Sequence, residues 1–204
     1  EGPRLPPLKI RSAGVPDEAV YDLIKLNVRV PDIVMGDLEA QIAGCMAGEH
    51  GLQALLAQYG PEVFRSYVDE ILNYSERITR QEISQWPDGD YEFTDFEDHD
   101  GRQAVLVPVK VRVEIRADRI RFDFTGSSPQ VKGAINSTLS FVKSATYLSV
   151  RCVLQADVPN NAGVYRCIDI TAPEGSILNP RMPAPVAARA LTGYRVVDCV
   201  FGAL

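Results

Sequence analysis

No run of apolar residues in this 204-residue chain approaches the roughly 20 that a helix needs to cross a bilayer, and no signal-peptide pattern opens it. Positive charge is scarce and scattered: 21 Lys and Arg against 27 Asp and Glu give a net charge of −6. That excludes the clustered basic face of a nucleic-acid binder. Histidine is nearly missing, and His50 and His99 lie far apart, so no Ser–His–Asp or Cys–His arrangement can be recognised. Cys45, Cys152, Cys167 and Cys199 form no CxxC pair. Each sits in an apolar pattern, which reads as reduced, buried thiols in a cytoplasmic protein. The phosphate-binding pattern GxxxxGK[ST] is absent too, because Lys132 precedes Gly133 and no Ser or Thr follows it.

What is there suits a soluble globular chain, with 46% hydrophobic and 24% charged residues and length enough for one large domain or two small ones. Residues 1–86 read as helical and 87–204 as strand-rich. A short amphipathic helix is expected from Pro16 to Val28 and a longer one from Met35 to Tyr59, where Leu38, Ile42, Cys45, Leu52, Leu56 and Tyr59 make an apolar stripe. Gly44, Gly48 and Gly51 interrupt that second helix at a cost of about 1 kcal/mol each relative to alanine. Either the close approach of another backbone or a break in the helix accounts for them. "YGPEVF" ends this helix and begins the next, giving an αα-hairpin whose second arm buries Phe64, Tyr67, Val68, Ile71, Leu72 and Ile78.

After the turn signal "WPDGDY", Tyr91, Phe93 and Phe96 suggest a strand. The odd positions from Val105 to Ile115 are all apolar, as in a half-buried strand, with Pro108 marking an edge or a bulge. A turn at Ala117–Asp118 leads to a strand with Ile120, Phe122 and Phe124. A helix over 137–154, a strand over 164–170 and a last helix from about Pro185 complete an α+β fold. In that fold an N-terminal helical hairpin precedes a mainly antiparallel sheet with covering helices.

Three segments concentrate polar chemistry. The connection "TGSSPQVKGAINS" joins a core strand to a core helix, with Asn136 or Ser137 placed to cap that helix. Helix starts also attract anions or carbonyl oxygens, so capping and ligand binding both stand. "DGDYEFTDFEDHDG" gathers acidic residues, but Asp98, His99 and Asp100 match no cation-loop spacing, so an acidic surface without metal is expected. "PVAARALTGYRVVD" brings Arg189, Thr192, Tyr194 and Arg195 within two helical turns. Its guanidiniums suit a carboxylate or phosphate, and equally salt bridges to Asp198 or another segment.

"GDLEAQIAGCMAGEHGL", "NYSERITR", "WPDGDYEFTDFEDHDG", "FDFTGSSPQVKGAIN" and "APEGSILNPRMPAPVAAR" stand in an order that resembles the hydantoinase B/oxoprolinase family, most closely the B-type component of an N-methylhydantoinase. Components of acetone and acetophenone carboxylases and lactamases are similar as well. The resemblance implies ATP-dependent attack on an unreactive amide or carbonyl of a small-molecule substrate. ATP and Mg would lie on a hydantoinase A-like partner subunit in a hetero-oligomer. It also implies that this chain is an internal segment of a longer one, inactive alone, with any divalent metal bound outside it. Substrate contacts are then expected from Asn136, Ser137, Arg189, Thr192 and Arg195. Of two departures from the family pattern, "GAINST" and "AARALTGYR", the second bears on which substrate is taken.

Overall fold

The computed structural model describes residues 5–204; the first four residues of the Pro-rich lead lie outside them. Backbone packing divides the chain into two compact units, one reaching to Tyr67 and the other running from Val68 to Leu204. That division falls inside a helix, whereas the change from helical to strand-rich sequence comes at residues 86–87.

In the first unit, Arg11–Ser12 (β1) and Val15–Pro16 (β2) form a small antiparallel ladder. Pro16 is held there, so the following helix α1 (Glu18–Asn27) starts two residues later than its pattern suggests. Asp17 caps it, its carboxylate accepting from the Ala19 and Val20 amides at 3.1 and 3.3 Å. Glu39, on the next helix, accepts from the Tyr21 hydroxyl and pairs with Arg11, both at 2.8 Å. That helix, α2 (Pro31–Tyr59), is unbroken over 29 residues. That rules out a break as the account of its glycines, and among the described residues no other backbone approaches them. A β-carbon at Gly44, Gly48 or Gly51 would meet nothing within 4 Å among the described residues. Leu38, Ile42 and Leu56 are half-buried, while Cys45, Leu52 and Tyr59 are exposed. Gly60, at a φ of 77°, ends α2 and hands the chain to α3 (Pro61–Ile83).

The second unit is built on a four-stranded sheet. β3 (Gly89–Glu97), β4 (Val107–Arg116) and β5 (Arg119–Asp123) are antiparallel neighbours, and β6 (Ile168–Thr171) runs parallel to β5. The alternation in β4 is realised: Val107, Val109, Val111, Val113 and Ile115 are all buried. β4 is nonetheless an inner strand. Pro108 is tolerated because β5 pairs only with Arg112–Arg116, leaving the proline beyond the reach of that ladder. Ile120, Phe122 and Phe124 continue the same core, which α4 (Leu139–Val153) and α5 (Arg189–Ala203) close with Val142, Val150, Val196, Cys199 and Val200. The fold is α+β, with a mainly antiparallel sheet.

Three local expectations change. On α3 the buried positions are Ser75, Thr79 and Ile83, while Tyr67, Val68 and Ile71 stay exposed. Ser75 can be buried because its hydroxyl accepts from Asn161 at 2.8 Å and reaches the Pro159 carbonyl at 3.3 Å. Residues 162–167 form a 3₁₀ turn before β6, initiated by the Asn161 side chain accepting from the Gly163 amide at 2.9 Å. Cys45 and Cys152 are exposed, and only Cys167 and Cys199 are buried thiols. Among the described residues no helix is long and apolar enough to cross a membrane.

Candidate functional site

The residue that organises the polar connection is Asn136, which is wholly buried. Its carbonyl oxygen accepts from the Val131 amide at 2.8 Å. Its amide nitrogen donates to the carbonyls of Val131, Gly133 and Pro185 at 2.9, 3.0 and 2.9 Å. One side chain thus folds the 131–136 loop on itself and ties it to the segment before α5. Two further bonds reinforce the tie: the Ala188 amide reaches Ala134 at 2.9 Å, and the buried Thr192 hydroxyl donates to the Ile135 carbonyl at 2.5 Å. The polar loop and the Arg189–Arg195 cluster, some 50 residues apart in sequence, are one structure.

Neither Asn136 nor Ser137 caps the helix. Thr138 does, accepting from the Phe141 amide at 3.4 Å, because both preceding side chains are turned into the interior. The Ser137 amide is spent on the Ile177 carbonyl at 2.7 Å, and its buried hydroxyl has no hydrogen-bond partner among the described residues. Arg189 is exposed, with its guanidinium 5.8 Å from the centroid of the Phe141 ring. Arg195 is committed elsewhere. It pairs with Asp95 at 2.6 Å, with Asp198 at 3.2 Å and with Glu97 at 3.7 Å. The hydrogen bond from Arg195 holds the Asp95 carboxyl below the usual carboxylate range, and Asp95 raises Arg195 in turn.

The acidic stretch is divided between two duties. Asp95 and Glu97 lie on β3 and anchor α5 through Arg195. Asp100 forms a tight turn, its carboxylate accepting from the Arg102 and Gln103 amides at 2.7 Å each. Those backbone bonds lower its pKa. The turn lies flat on the polar loop: a β-carbon at Gly101 would stand 3.0 Å from the Gly133 α-carbon, and one at Gly133 would overlap the Asp100 carbonyl. Among the described residues, no three His, Cys, Asp or Glu side chains converge to hold a metal ion.

Where these three segments meet, a pocket of about 390 Å³ opens, lined by Arg102, Gln130, Lys132, Pro183 and Pro185 among others. Another cavity, of about 340 Å³, lies among Trp86, Tyr91, Ile115 and Val153, with no charged side chain in its lining to orient a polar substrate.

A family model described as hydantoinase B/oxoprolinase matches residues 1–204, the whole chain. The chain belongs to the hydantoinase B/oxoprolinase family. It is 35% identical, over its whole length, to a relative assigned as the B component of a D-/L-hydantoinase in Pseudomonas sp. (strain NS671), of which it covers 36%. It is 34% identical over 91% of its length to the beta component of the caprolactamase of Pseudomonas jessenii, covering 32% of that protein. The crystal structure of the ATP-dependent caprolactamase from Pseudomonas jessenii superposes on all of it with a TM-score of 0.91 and 32% identity, over 35% of that chain. A nucleotide-free acetone carboxylase shares the fold, with a TM-score of 0.82 at 19% identity over 95% of this chain and 27% of that one. The chain spans about a third of the length of the first two relatives.

In this hydantoinase B/oxoprolinase family member the structure brings the three polar segments singled out in the sequence together, and the pocket at their junction is lined by Arg102 and Lys132, which the sequence did not single out as candidates. Arg102 was hidden by its acidic neighbours. The signal for it was the glycine pair, Gly101 and Gly133, in two segments with no shared periodicity.

Proposed function

We propose that this chain is part of the B-type component of an ATP-dependent cyclic-amide hydrolase, of the hydantoinase and 5-oxoprolinase kind. It works with an A-type partner that holds ATP and Mg, in a hetero-oligomer in the cytoplasm. The observation that carries this reading is the match to the ATP-dependent caprolactamase over the full chain, at 32% identity and a TM-score of 0.91.

The chemistry explains why ATP would be needed. Resonance gives an amide C–N bond partial double-bond character and makes its carbonyl a poor electrophile. ATP bound on the partner supplies the activation. This chain's share is to bind and orient the ring and to hold charge that develops on its oxygens. Asn136 and Thr192 act as positioning residues, fixing the two segments that wall the pocket. Ser137 supports the wall from behind, Arg189 offers an exposed guanidinium at the start of α5, over the Phe141 ring, and Arg195 locks α5 to β3 so that the wall keeps its place. The divalent ion that the family resemblance implies finds no three-donor group among the described residues, and no step runs through one here.

The test is to produce the natural full-length protein with its A-type partner and supply hydantoin, 5-oxoproline or caprolactam with ATP. ADP release coupled to ring opening, absent without the partner, is the expected result. ATP turnover that instead needs bicarbonate and a ketone would replace the hydrolase with a carboxylase. No turnover with any of these would leave the chain as a structural core for its partner.

A further inference from the structure

The protein is acidic, yet the pocket at the junction of the three loops carries the opposite charge. Arg102 and Lys132 line it together with the Gln130 side chain, and no carboxylate does. Among the described residues, neither cation has a carboxylate within ion-pair distance; Asp100 acts on Arg102 only at longer range. Six of the eleven other arginines of this unit are paired: Arg80, Arg112, Arg116, Arg166, Arg181 and Arg195 each meet an Asp or Glu.

The pocket's walls are fixed by the backbone. Gly101 and Gly133 let the Asp100 turn lie against the polar loop, which brings the residues that follow and precede them, Arg102 and Lys132, to one opening. Asn136 holds the other side of the loop to Pro185 at 2.9 Å. Gln130 fastens the far wall by accepting from the Arg181 amide at 2.7 Å and donating to the Arg181 carbonyl at 3.3 Å. The backbone frame is fixed in advance, so an anion that enters has only the two exposed cationic side chains left to order.

We propose that this pocket is an oxyanion-binding subsite that takes the phosphoryl or carboxylate group of a small substrate or intermediate, held by Arg102 and Lys132. Arg102 supplies a planar fork of donors and Lys132 a mobile point charge, the combination that suits a compact tetrahedral or planar oxyanion. The pocket is shallow and open to solvent, and its volume of about 390 Å³ admits a small ring with one charged group. The inference deepens the cyclic-amide reading and rests on it for the identity of the ligand, though not for the existence of the site.

The experiment is calorimetric titration of the natural full-length protein with inorganic phosphate and, separately, with 5-oxoproline as the carboxylate probe, at low ionic strength. Arg102→Gln with Lys132→Gln should weaken binding of whichever probe the site takes by at least ~10-fold. Arg119→Gln, which removes an exposed cation outside the pocket, should change nothing. The probe that loses affinity in the double variant identifies the group, phosphoryl or carboxylate. If neither probe binds, or if Arg119→Gln weakens binding as much as the pair does, the subsite does not exist. Circular dichroism confirms that each variant is folded. Cyclic-amide turnover indifferent to the double variant, with no probe binding, sinks the subsite and leaves the hydrolase reading intact. Binding lost as expected in a protein that opens no amide ring keeps the subsite and sinks the hydrolase.

Discussion

The Asn136 side chain donates to the Pro185 carbonyl at 2.9 Å, joining positions 49 residues apart, while its other bonds close the loop from Val131 to Gly133. The amide is saturated by main-chain groups and buried from solvent. Its influence on any ligand is therefore exerted through the backbone it holds.

Replacing Asn136 with alanine would strand three carbonyls and one amide in the interior. A loss of roughly 3 kcal/mol is expected in urea unfolding, since each unsatisfied buried group costs ~1–3 kcal/mol. A wild-type midpoint together with abolished turnover would show that the side chain meets substrate directly.

The apposition of the Asp100 turn and the polar loop predicts a steep penalty at a single methyl group. Gly133→Ala overlaps the Asp100 carbonyl, which is backbone and cannot swing aside, so roughly 3 kcal/mol should be lost. Gly48→Ala is the opposite case. With nothing within 4 Å and the gain in helix propensity, it should stabilise α2 by up to ~1 kcal/mol, seen as a higher helical melting temperature in this chain. Destabilisation at Gly48 would show that the small face of α2 is covered after all.

Arg195 and Asp95 make stability depend on pH in a defined direction. The Asp95 carboxyl is depressed in the folded state below its ordinary value of 3.8, chiefly by the hydrogen bond from Arg195. Its contribution is therefore present above that value and lost as pH falls below it. Both side chains remain about a third exposed, at 30% and 33%, so screening limits the effect to roughly 1 kcal/mol. Arg195→Met should lose that increment at neutral pH and converge with wild type in acid. Parallel stability curves at all pH values would mean that the pair contributes packing alone.

The thiols should divide into two classes. Burial pushes Cys167 and Cys199 up to about 11. At pH 8 both are almost entirely protonated and shielded, whereas Cys45 and Cys152 are exposed. A thiol-exchange reagent followed by peptide mass spectrometry should mark Cys45 and Cys152 within minutes, and the other pair only after unfolding. Rapid labelling of Cys199 in folded protein would place α5 in exchange with an open state.

The sequence alone determined the α+β class, the strand alternation in β4, the helix order and the family, because these depend on local periodicity and on motifs that can be read one segment at a time. It could not tell which side of a polar loop faces inward. Asn136 and Ser137 look like helix caps in one dimension, and Thr138 takes that duty because the fold turns the other two into the interior. Arg195 looked available for a ligand until β3 brought Asp95 and Glu97 beside it from about a hundred residues away. Only the tertiary structure could bring Arg102 to Lys132, since the contact that does so is between two glycines and leaves no hydrophobic or charge pattern in the sequence.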